Sequence, residues 1–277
     1  MRGARIQEPA PGSPLTLLCL PCAGGGASSY ARWQDRLSAH GAHVRVRPVQ
    51  LPGREERAHE PRFTDLDAQV MALESELGDE LSRPHILLGH SMGAFVVHAL
   101  ALRRQQQGAS LPRALVLLSH RAPHIPPNGI LVPDADDETL AERLAELGGI
   151  PWELARRKRF RARLMPLVRD DLRLCSSTTP EAAIEPLDMP LHLFIGRQDH
   201  LVPVGAMAAW SRHGGAGSEL RTMPGGHFFV RTHESDLLSE LAAVLRRYTG
   251  ERSASAHESA RADLKQPLDE AVLGGAE

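Results

Sequence analysis

A serine between two glycines marks the point where a buried strand pattern passes directly into a helical one. The stretch PHILLGHSMGAFVVHALALRR runs from Pro84 to Arg104, and no ordinary loop separates its two halves. The serine, Ser91, must therefore occupy a tight turn, and the flanking Gly89 and Gly93 remove side chains that would clash there. This junction restricts the chain to folds in which a strand feeds directly into a helix.

Strand and helix patterns alternate along much of the chain. Amphipathic or helical spacing is found, for example, over Asp65–Leu81 and Met92–Gln106. Strand patterns lie at residues 15–20, 43–49, 85–88, 113–119, 191–196 and 219–223. Those at 15–20, 85–88, 113–119 and 191–196 are mainly apolar, as is typical of buried strands. This alternation predicts an α/β fold, with a mostly parallel central sheet and helices on both faces.

The strand patterns stop between about residues 124 and 175. Charged helical segments joined by proline and glycine fill this interval, so we expect a helical lid inserted between core elements. We expect residues 1–14 to be an N-terminal extension and the polar tail 250–277 to be disordered. The main domain, with the alternating pattern and the inserted lid, is thereby predicted to span residues 15–249.

Composition excludes several classes of protein. Of the 277 residues, 42% are hydrophobic and 24% are charged, and a net charge of -2 gives no reason to expect a nucleic acid or an anionic membrane as partner. No apolar run is long enough to span a membrane, and the start, MRGARIQEPAPGSP, lacks the apolar stretch of a signal peptide. We therefore expect a cytoplasmic monomer with reduced cysteines.

Cys19 and Cys22 have the spacing of a redox-active or zinc-binding CxxC pair. Cys19, however, lies inside the apolar run LTLLCL, and the third cysteine, Cys175, is far away in the chain. We interpret Cys19 as a core residue and Cys22 as a residue at the end of a strand.

The sequence GHSMG around Ser91 matches the G-x-S-x-G nucleophile elbow. In such an elbow the serine hydroxyl lies above the sheet beside a helix N-terminus, where backbone N–H groups favour negative charge. A serine N-cap is the plainer interpretation of the same residues. The strand–turn–helix context favours the nucleophile, which then needs a base and an acid that orients the base.

The expected order of such partners along the chain is serine, acid, histidine. His227 follows two glycines in a loop after the last strand pattern, and Asp199 follows the strand pattern LHLFIG. Both positions lie at the carboxyl ends of strands, where ligands bind in parallel sheets. The rivals, which fit the chain order or the strand end less well, are Asp188, His200, His85 and His90.

Two backbone N–H groups are expected to bind the oxyanion that forms in acyl transfer. One belongs to Met92, directly after the serine, and we assign the other to Ala23 in the loop PCAGGGASS, residues 21–29. The glycines of this loop could also be interpreted as a phosphate cradle. The loop, however, matches neither GxGxxG nor the Gly-Lys-Ser/Thr of a P-loop.

Several stretches together resemble the type II thioesterases that accompany polyketide and nonribosomal peptide synthases. These stretches are LPCAGGGASSYARW, VQLPGREER, GHSMGA, LRLCSS, GRQDHLVP and GGHFFV, and the resemblance covers about residues 15–248. It implies an α/β hydrolase with a helical lid that hydrolyses aberrant or stalled acyl groups from the phosphopantetheine arm of acyl or peptidyl carrier proteins. The implied roles are Ser91 as nucleophile, His227 as base, Asp199 as its orienting acid, and Ala23 and Met92 as oxyanion donors.

The resemblance also bears on cofactors and partners. It implies no metal and no soluble cofactor, because the substrate is carried on the phosphopantetheine of a partner carrier protein. One departure is visible, since many relatives carry histidine where this chain has Cys22. The oxyanion donor is the backbone of the next residue, so the chemistry should survive this change. A thiol nucleophile at Cys22 would lack a base placed to activate it.

The stretch ARRKRFRAR, residues 155–163, contains six basic residues among nine. A solvated helix face is the plain interpretation. The functional interpretation is docking to an acidic carrier protein or contact with the phosphate of its arm.

Other functions remain open at this point. A medium-chain fatty acyl thioesterase, a general carboxylesterase and an acyltransferase with an alcohol acceptor would share the same catalytic groups. A catalytically silent binding protein of this fold is also possible, although the intact set of Ser91, Asp199 and His227 argues against it.

Overall fold

The computed structural model describes residues 14–177 and 184–249. Its centre is a parallel sheet of strands β1 (Thr16–Leu20), β2 (Arg45–Pro48), β3 (His85–His90), β4 (Leu115–Leu118), β5 (Leu191–Gly196) and β6 (Ser218–Met223). Their order across the sheet is β2-β1-β3-β4-β5-β6, and all neighbouring pairs are parallel. The predicted α/β fold is confirmed.

Helices connect the strands. They are α1 (Trp33–Ala39), α2 (Leu66–Glu76), α3 (Gly78–Leu81), α4 (Met92–Gln106), α5 (Asp137–Glu146), α6 (Trp152–Ala155), α7 (Lys158–Ser176), α8 (Val204–Ala208), α9 (Phe229–Thr232) and α10 (Glu234–Arg246). Short 3₁₀ turns lie at Ala27–Tyr30, Glu55–Arg57 and Ala209–His213.

The prediction of one continuous helix over Asp65–Leu81 was wrong at Leu77. There the chain leaves helical geometry, with φ -100° and ψ 13°, and a separate turn of helix begins at Gly78. Glycine is a poor helix former because it loses the most backbone freedom, so a break at this point is physically reasonable. The apolar spacing continues across the break, which is why the pattern alone did not show it.

The four inner strands, β1, β3, β4 and β5, bury both faces because helices cover the sheet on both sides, whereas the edge strands β2 and β6 are partly exposed. In β1, Leu18 and Leu20 pack in one core with α2 and α4, whereas Leu17 and Cys19 pack in another with α1 and α10. Successive side chains of a strand point to opposite faces, so a strand buried on both faces must be apolar throughout. This geometry explains the uninterrupted apolar runs in the sequence.

The strand order reverses direction between β1 and β3. The chain leaves β1 toward β2 on one side, but leaves β3 toward β4 on the other. Loops that follow neighbouring strands diverge at such a point and leave a crevice at the carboxyl edge of the sheet, where ligands bind. The loop after β1 contains Ala23 and the turn after β3 contains Ser91, so the crevice lies between them.

Helices α5, α6 and α7 lie between β4 and β5 in the chain, within the interval where we expect the lid. They form a small apolar core of their own, which includes Leu140, Leu144, Met165 and Val168. The expected N-terminal extension, up to residue 13, and the expected tail 250–277 lie outside the described residues. In the part of the chain that is described, no helix is long and apolar enough to cross a membrane.

Candidate active site

Ser91 lies in a strained turn between β3 and α4. Its φ of 52° and ψ of -119° belong to a region that side-chain-bearing residues rarely adopt, and its N–H donates to the carbonyl of Leu118 at 2.8 Å. A Cβ at Gly89 would lie 2.2 Å from the backbone of Gly93, and a Cβ at Gly93 would lie 2.3 Å from the Leu20 oxygen. A side chain at either position would clash with the backbone, so both positions require glycine.

Asp199 and His227 come from two loops that hydrogen bond to each other. Asp199 follows β5, and His227 follows β6. The Gln198 N–H donates to the Gly225 carbonyl at 2.9 Å, while the Gly225 N–H donates to Gln198 Oε1 at 2.8 Å. Gly196 allows this approach, since a Cβ there would lie 2.4 Å from the Gly226 oxygen. The paired loops hold the acid and the histidine in register.

The three predicted residues form one chain of hydrogen bonds. His227 Nε2 lies 3.0 Å from Ser91 Oγ, and His227 Nδ1 lies 2.9 Å from Asp199 Oδ2. The other carboxylate oxygen of Asp199 accepts the N–H groups of Leu201 and Val202, each at 2.9 Å. The side chains of Asp199 and His227 are 0% and 2% exposed, so solvent does not compete for these bonds.

The ionisation of Asp199 decides the direction of its hydrogen bond with His227. Burial acts to raise the pKa of Asp199, but the hydrogen bond from His227 and that from the Val202 N–H outweigh it, and the pKa is lowered. The carboxylate is then ionised at neutral pH and can only accept. His227 Nδ1 is therefore the donor, and the tautomer that this bond selects presents Nε2 to the Ser91 hydroxyl as an acceptor.

His90 contacts the backbone of the loop that contains His227. Its Nε2 lies 3.0 Å from the backbone oxygen of His227, and its side chain is buried. Burial, assisted by the nearby His227, lowers the pKa of His90 to about 3. The ring is neutral, so Nε2 carries a proton that it donates to the His227 carbonyl. His90, an alternative candidate for the base in the sequence, thus holds the backbone of His227 in place.

The two residues expected to donate to the oxyanion border the same cavity as Ser91. Ala23 follows β1 and Met92 begins α4, and both line the cavity that Ser91 lines. Within residues 14–177 and 184–249, neither N–H donates to another protein group. Unengaged N–H groups beside a serine at a helix N-terminus suit an anionic intermediate.

A cavity of about 320 Å³ opens beside Ser91. Its apolar lining comes partly from the inserted segment, including Leu131, Leu172 and Cys175, and partly from residues after β5, including Leu201 and Val202. An acyl chain attached at Ser91 would therefore contact both the inserted segment and the sheet domain.

The other rivals lie outside the hydrogen-bonded set. His200 and Asp188 are exposed, and His85 is buried at the start of β3, where its Nδ1 meets the Arg83 carbonyl. Among the described residues, none of these three side chains hydrogen bonds to Ser91, Asp199 or His227.

The cysteines occupy the positions that their sequence context predicts. Cys19 is fully buried in β1, and Cys22 lies just after that strand. Burial raises the pKa of the Cys22 thiol to about 11, so its thiolate is scarce at neutral pH. Cys175, whose pKa burial raises to about 12, lines the acyl-sized cavity.

The sequence assigned no role to two charged residues of this region. Arg54, from the stretch QLPGRE, and Asp171, from α7, form a buried ion pair with N–O distances of 2.8 and 2.9 Å. Asp171 Oδ2 also accepts the N–H of Gly24 at 2.7 Å. One signal could have revealed Asp171, because it lies on the buried stripe of α7 with Leu167, Val168 and Leu174.

A family model described as a thioesterase domain matches residues 15–247 of the chain. In sequence, the chain is 34% identical over 229 residues to linear gramicidin dehydrogenase LgrE of Brevibacillus parabrevis. The matched region covers 82% of this chain and 86% of LgrE.

Solved structures resemble the chain as well. RedJ, a thioesterase from the prodiginine biosynthetic pathway in Streptomyces coelicolor, superimposes with a TM-score of 0.77 at 32% identity and covers 88% of this chain and 96% of its own. BorB, a type II thioesterase from the borrelidin biosynthetic cluster, superimposes with a TM-score of 0.72 at 31% identity. The match covers 87% of this chain and 97% of the BorB chain.

Proposed function

Because the chain belongs to the thioesterase domain family and is thus a hydrolase of thioesters, we propose that it releases aberrant or stalled acyl groups from the phosphopantetheine arm of carrier proteins. Its similarity to RedJ and BorB supports a type II thioesterase of polyketide or nonribosomal peptide biosynthesis. LgrE is named a dehydrogenase. The hydrogen-bonded set of Ser91, His227 and Asp199 is what acyl transfer to a serine needs. We therefore base the proposal on the thioesterase family and not on the name of LgrE.

In the proposed reaction, Ser91 Oγ attacks the thioester carbonyl carbon while His227 Nε2 accepts the hydroxyl proton. Asp199 keeps the imidazole in the required tautomer and stabilises its charged form. The N–H groups of Ala23 and Met92 bind the oxyanion, and each such donor is typically worth about 10²- to 10³-fold in kcat. His227 then returns the proton to the departing thiol and activates the water that hydrolyses the acyl-serine.

One observation carries this proposal. The Ser91 hydroxyl lies 3.0 Å from Nε2 of His227 and opens on an apolar cavity of about 320 Å³. A nucleophile, its base and space for an acyl chain are thus found together.

The direct test is steady-state hydrolysis by the wild type and by Ser91→Ala. Acetyl-, propionyl- and longer acyl-carrier proteins serve as substrates, with p-nitrophenyl acetate as the oxygen-ester comparison. We expect Ser91→Ala to lower kcat by about 10⁴-fold or more, because the nucleophile is lost. Wild-type turnover in this variant would refute the role of Ser91.

A matched control is Ser176→Ala, because Ser176 lines the same cavity but donates to the Leu172 carbonyl. Its kcat should stay within about threefold of the wild type, as for a residue outside the reacting groups. Serine-dependent turnover of p-nitrophenyl acetate alone would remove the carrier protein from the proposal and leave an esterase. A preference for medium-length chains on any thiol would favour the fatty acyl thioesterase.

The proposed partner, a carrier protein, also needs a surface to dock on. The basic side chains Arg156, Arg157, Lys158, Arg159 and Arg163 are exposed around the start of α7. Such a cluster attracts an acidic partner and raises its association rate. This supports the inserted segment as the docking surface.

A further inference from the structure

We propose that Asp171 and Arg54 are positioning residues that hold the loop carrying the second oxyanion donor, so that this donor is set only while α7 is docked on the sheet domain. The inference rests on the proposed role of the Ala23 N–H. It gives a function to the stretch QLPGRE, for which the sequence offers no chemical role.

Asp171 links α7 to this loop directly. It is 1% exposed, and its Oδ2 accepts both the Gly24 N–H at 2.7 Å and Arg54 Nη1 at 2.9 Å. Gly24 directly follows Ala23, so the peptide plane next to the proposed donor is tied to a side chain of α7.

Arg54 completes the link from the other side. Its Nη2 donates to Asp171 Oδ1 at 2.8 Å, while its Nη1 also donates to the Gly25 carbonyl at 3.1 Å. The bidentate pair fixes the orientation of both side chains. The loop is therefore held through an N–H and a carbonyl on successive residues.

Neighbours of Arg54 engage the rest of the loop. Gln50 Oε1 accepts the Ala27 N–H at 3.0 Å, and Glu55 Oε2 accepts the Ser28 N–H at 3.2 Å. The Ala23 N–H, in contrast, has no protein acceptor among the described residues. Side chains outside the loop thus bind the donors on Gly24, Ala27 and Ser28 and leave the Ala23 donor open to the cavity.

Packing makes the same connection as the hydrogen bonds. Gly24 has a φ of +72°, and a Cβ there would lie 2.7 Å from Val168 Cγ2 of α7. The same helix contributes Leu172 and Cys175 to the cavity beside Ser91. One element therefore shapes the acyl site and sets the oxyanion loop, so that displacement of α7 would affect both.

Stability alone does not account for this arrangement. A buried ion pair brings little net stability, because the cost of removing two charges from water offsets their attraction. An apolar pair would serve packing equally well, but it could neither accept the Gly24 N–H nor donate to the Gly25 carbonyl. The polar groups are therefore needed for the position of the loop.

The test is Asp171→Asn, measured on an acyl-carrier substrate and with a trifluoromethyl ketone that forms a tetrahedral adduct on Ser91. We expect kcat to fall about 10- to 100-fold, less than for the complete loss of an oxyanion donor, with KM within about threefold. Affinity for the ketone should fall by the same factor as kcat, because its adduct also needs the oxyanion donors.

The matched control is Asp170→Asn. Asp170 is the neighbouring residue of α7 and pairs with Arg62 at 2.7 Å, but its hydrogen bonds do not reach the oxyanion loop. Both kcat and the ketone affinity should remain within about threefold of the wild type. An equal loss in both variants would mean that docking of α7 matters only in general, and the specific role of Asp171 would be overturned.

A second variant keeps the test decisive if Asp171→Asn does not fold. Arg54→Lys retains the charge but cannot reach both Asp171 oxygens and the Gly25 carbonyl, so kcat should fall while KM stays. Wild-type kcat and ketone affinity in folded Arg54→Lys or Asp171→Asn, with Ser91→Ala inactive, would overturn this inference and leave the proposed function intact. Full activity of Ser91→Ala would instead overturn the proposed function.

Discussion

Ser91 keeps its hydroxyl at the base only by holding a backbone conformation that costs about 1–3 kcal/mol. The surrounding residues sustain it, since Gly89 and Gly93 let β3, α4 and the end of β1 approach one another. His90 adds a hydrogen bond to the His227 carbonyl, which fixes the histidine relative to the same turn. The site therefore depends on the absence of side chains at Gly89 and Gly93 as much as on the side chains of Ser91 and His227.

We predict that Gly89→Ala destabilises the protein and impairs turnover. The new Cβ would meet Gly93 backbone atoms at 2.2 Å, and overpacking of this kind costs roughly 1–3 kcal/mol or more. The shift should move the Met92 N–H away from the oxyanion, so kcat should fall by about tenfold or more. Urea unfolding and steady-state kinetics measure the two effects.

Gly205→Ala is the matched control for this substitution. Gly205 lies in α8, and no atom lies within 4 Å of a Cβ built there. Alanine is the better helix former, so this variant should be unchanged or more stable by roughly 0.5–1 kcal/mol. If Gly89→Ala behaved like Gly205→Ala, the steric account of the elbow would be wrong.

At the scale of elements, α7 joins several parts of the molecule. Met165 and Val168 pack in the small core of the inserted helices, and Leu172 faces the cavity. Asp171 lies between them on the buried stripe and binds the loop after β1. The N-terminal end of the same helix carries the exposed basic cluster. A partner that binds this cluster would therefore contact the element that shapes the proposed acyl site.

We predict that reversing charge at Arg157 and Lys158 weakens the recognition of carrier proteins. Arg157→Glu together with Lys158→Glu should raise KM for acyl-carrier substrates by about tenfold, because the association of oppositely charged surfaces is weakened. KM for a short thioester without a carrier should not change. Both values come from steady-state kinetics at low and high salt, and the effect should shrink as salt screens the charges.

Arg83→Glu controls for the change in net charge. Arg83 is exposed and precedes β3, so it lies at the opposite edge of the sheet from the candidate site. It should leave KM for both substrates unchanged. A similar rise in KM for the carrier-bound and the short thioester would contradict docking at the basic cluster.

Across the whole molecule, buried histidines make stability depend on pH. Burial lowers the pKa of His85 to about 4, and burial together with nearby charges lowers the pKa of His90, His98 and His120 to about 3. The folded protein keeps them neutral, whereas unfolded histidines bind protons below about pH 6.5. Between these values the unfolded chain binds more protons, so stability falls as pH falls.

We predict that the free energy of unfolding declines steeply from pH 6.5 toward pH 5. Each of the four histidines contributes up to about 1.4 kcal/mol per pH unit in this window. Asp199, whose pKa is lowered in the fold, adds its effect only below about pH 4, where unfolded carboxylates protonate. Urea unfolding at a series of pH values measures the slope.

His98→Gln serves as the internal comparison, since glutamine does not titrate. The slope for this variant should be lower by about one proton. Stability that stayed constant between pH 7 and pH 5 would show that the folded protein protonates these histidines, contrary to their burial.

The sequence by itself determined the features that depend on local pattern. Apolar runs predicted the inner strands because a strand that helices cover on both faces has no solvent-facing side for polar residues. The strand–glycine–serine–glycine–helix junction predicted the turn at Ser91, and the positions of Asp199 and His227 after their strands predicted the edge of the sheet where both lie. The resemblance to type II thioesterases, now shown as membership of the thioesterase domain family, rested on the same short stretches.

Only the tertiary structure decided which distant groups meet. His227 Nε2 and Ser91 Oγ lie 3.0 Å apart although 136 positions separate them, and Arg54 and Asp171 meet across 117 positions. Local patterns describe how a residue relates to its own helix or strand, and they give no information about which acid an arginine will reach. That pairing follows from the order of the strands and from the packing of α7 over their carboxyl edge, which together bring these loops within hydrogen-bonding distance.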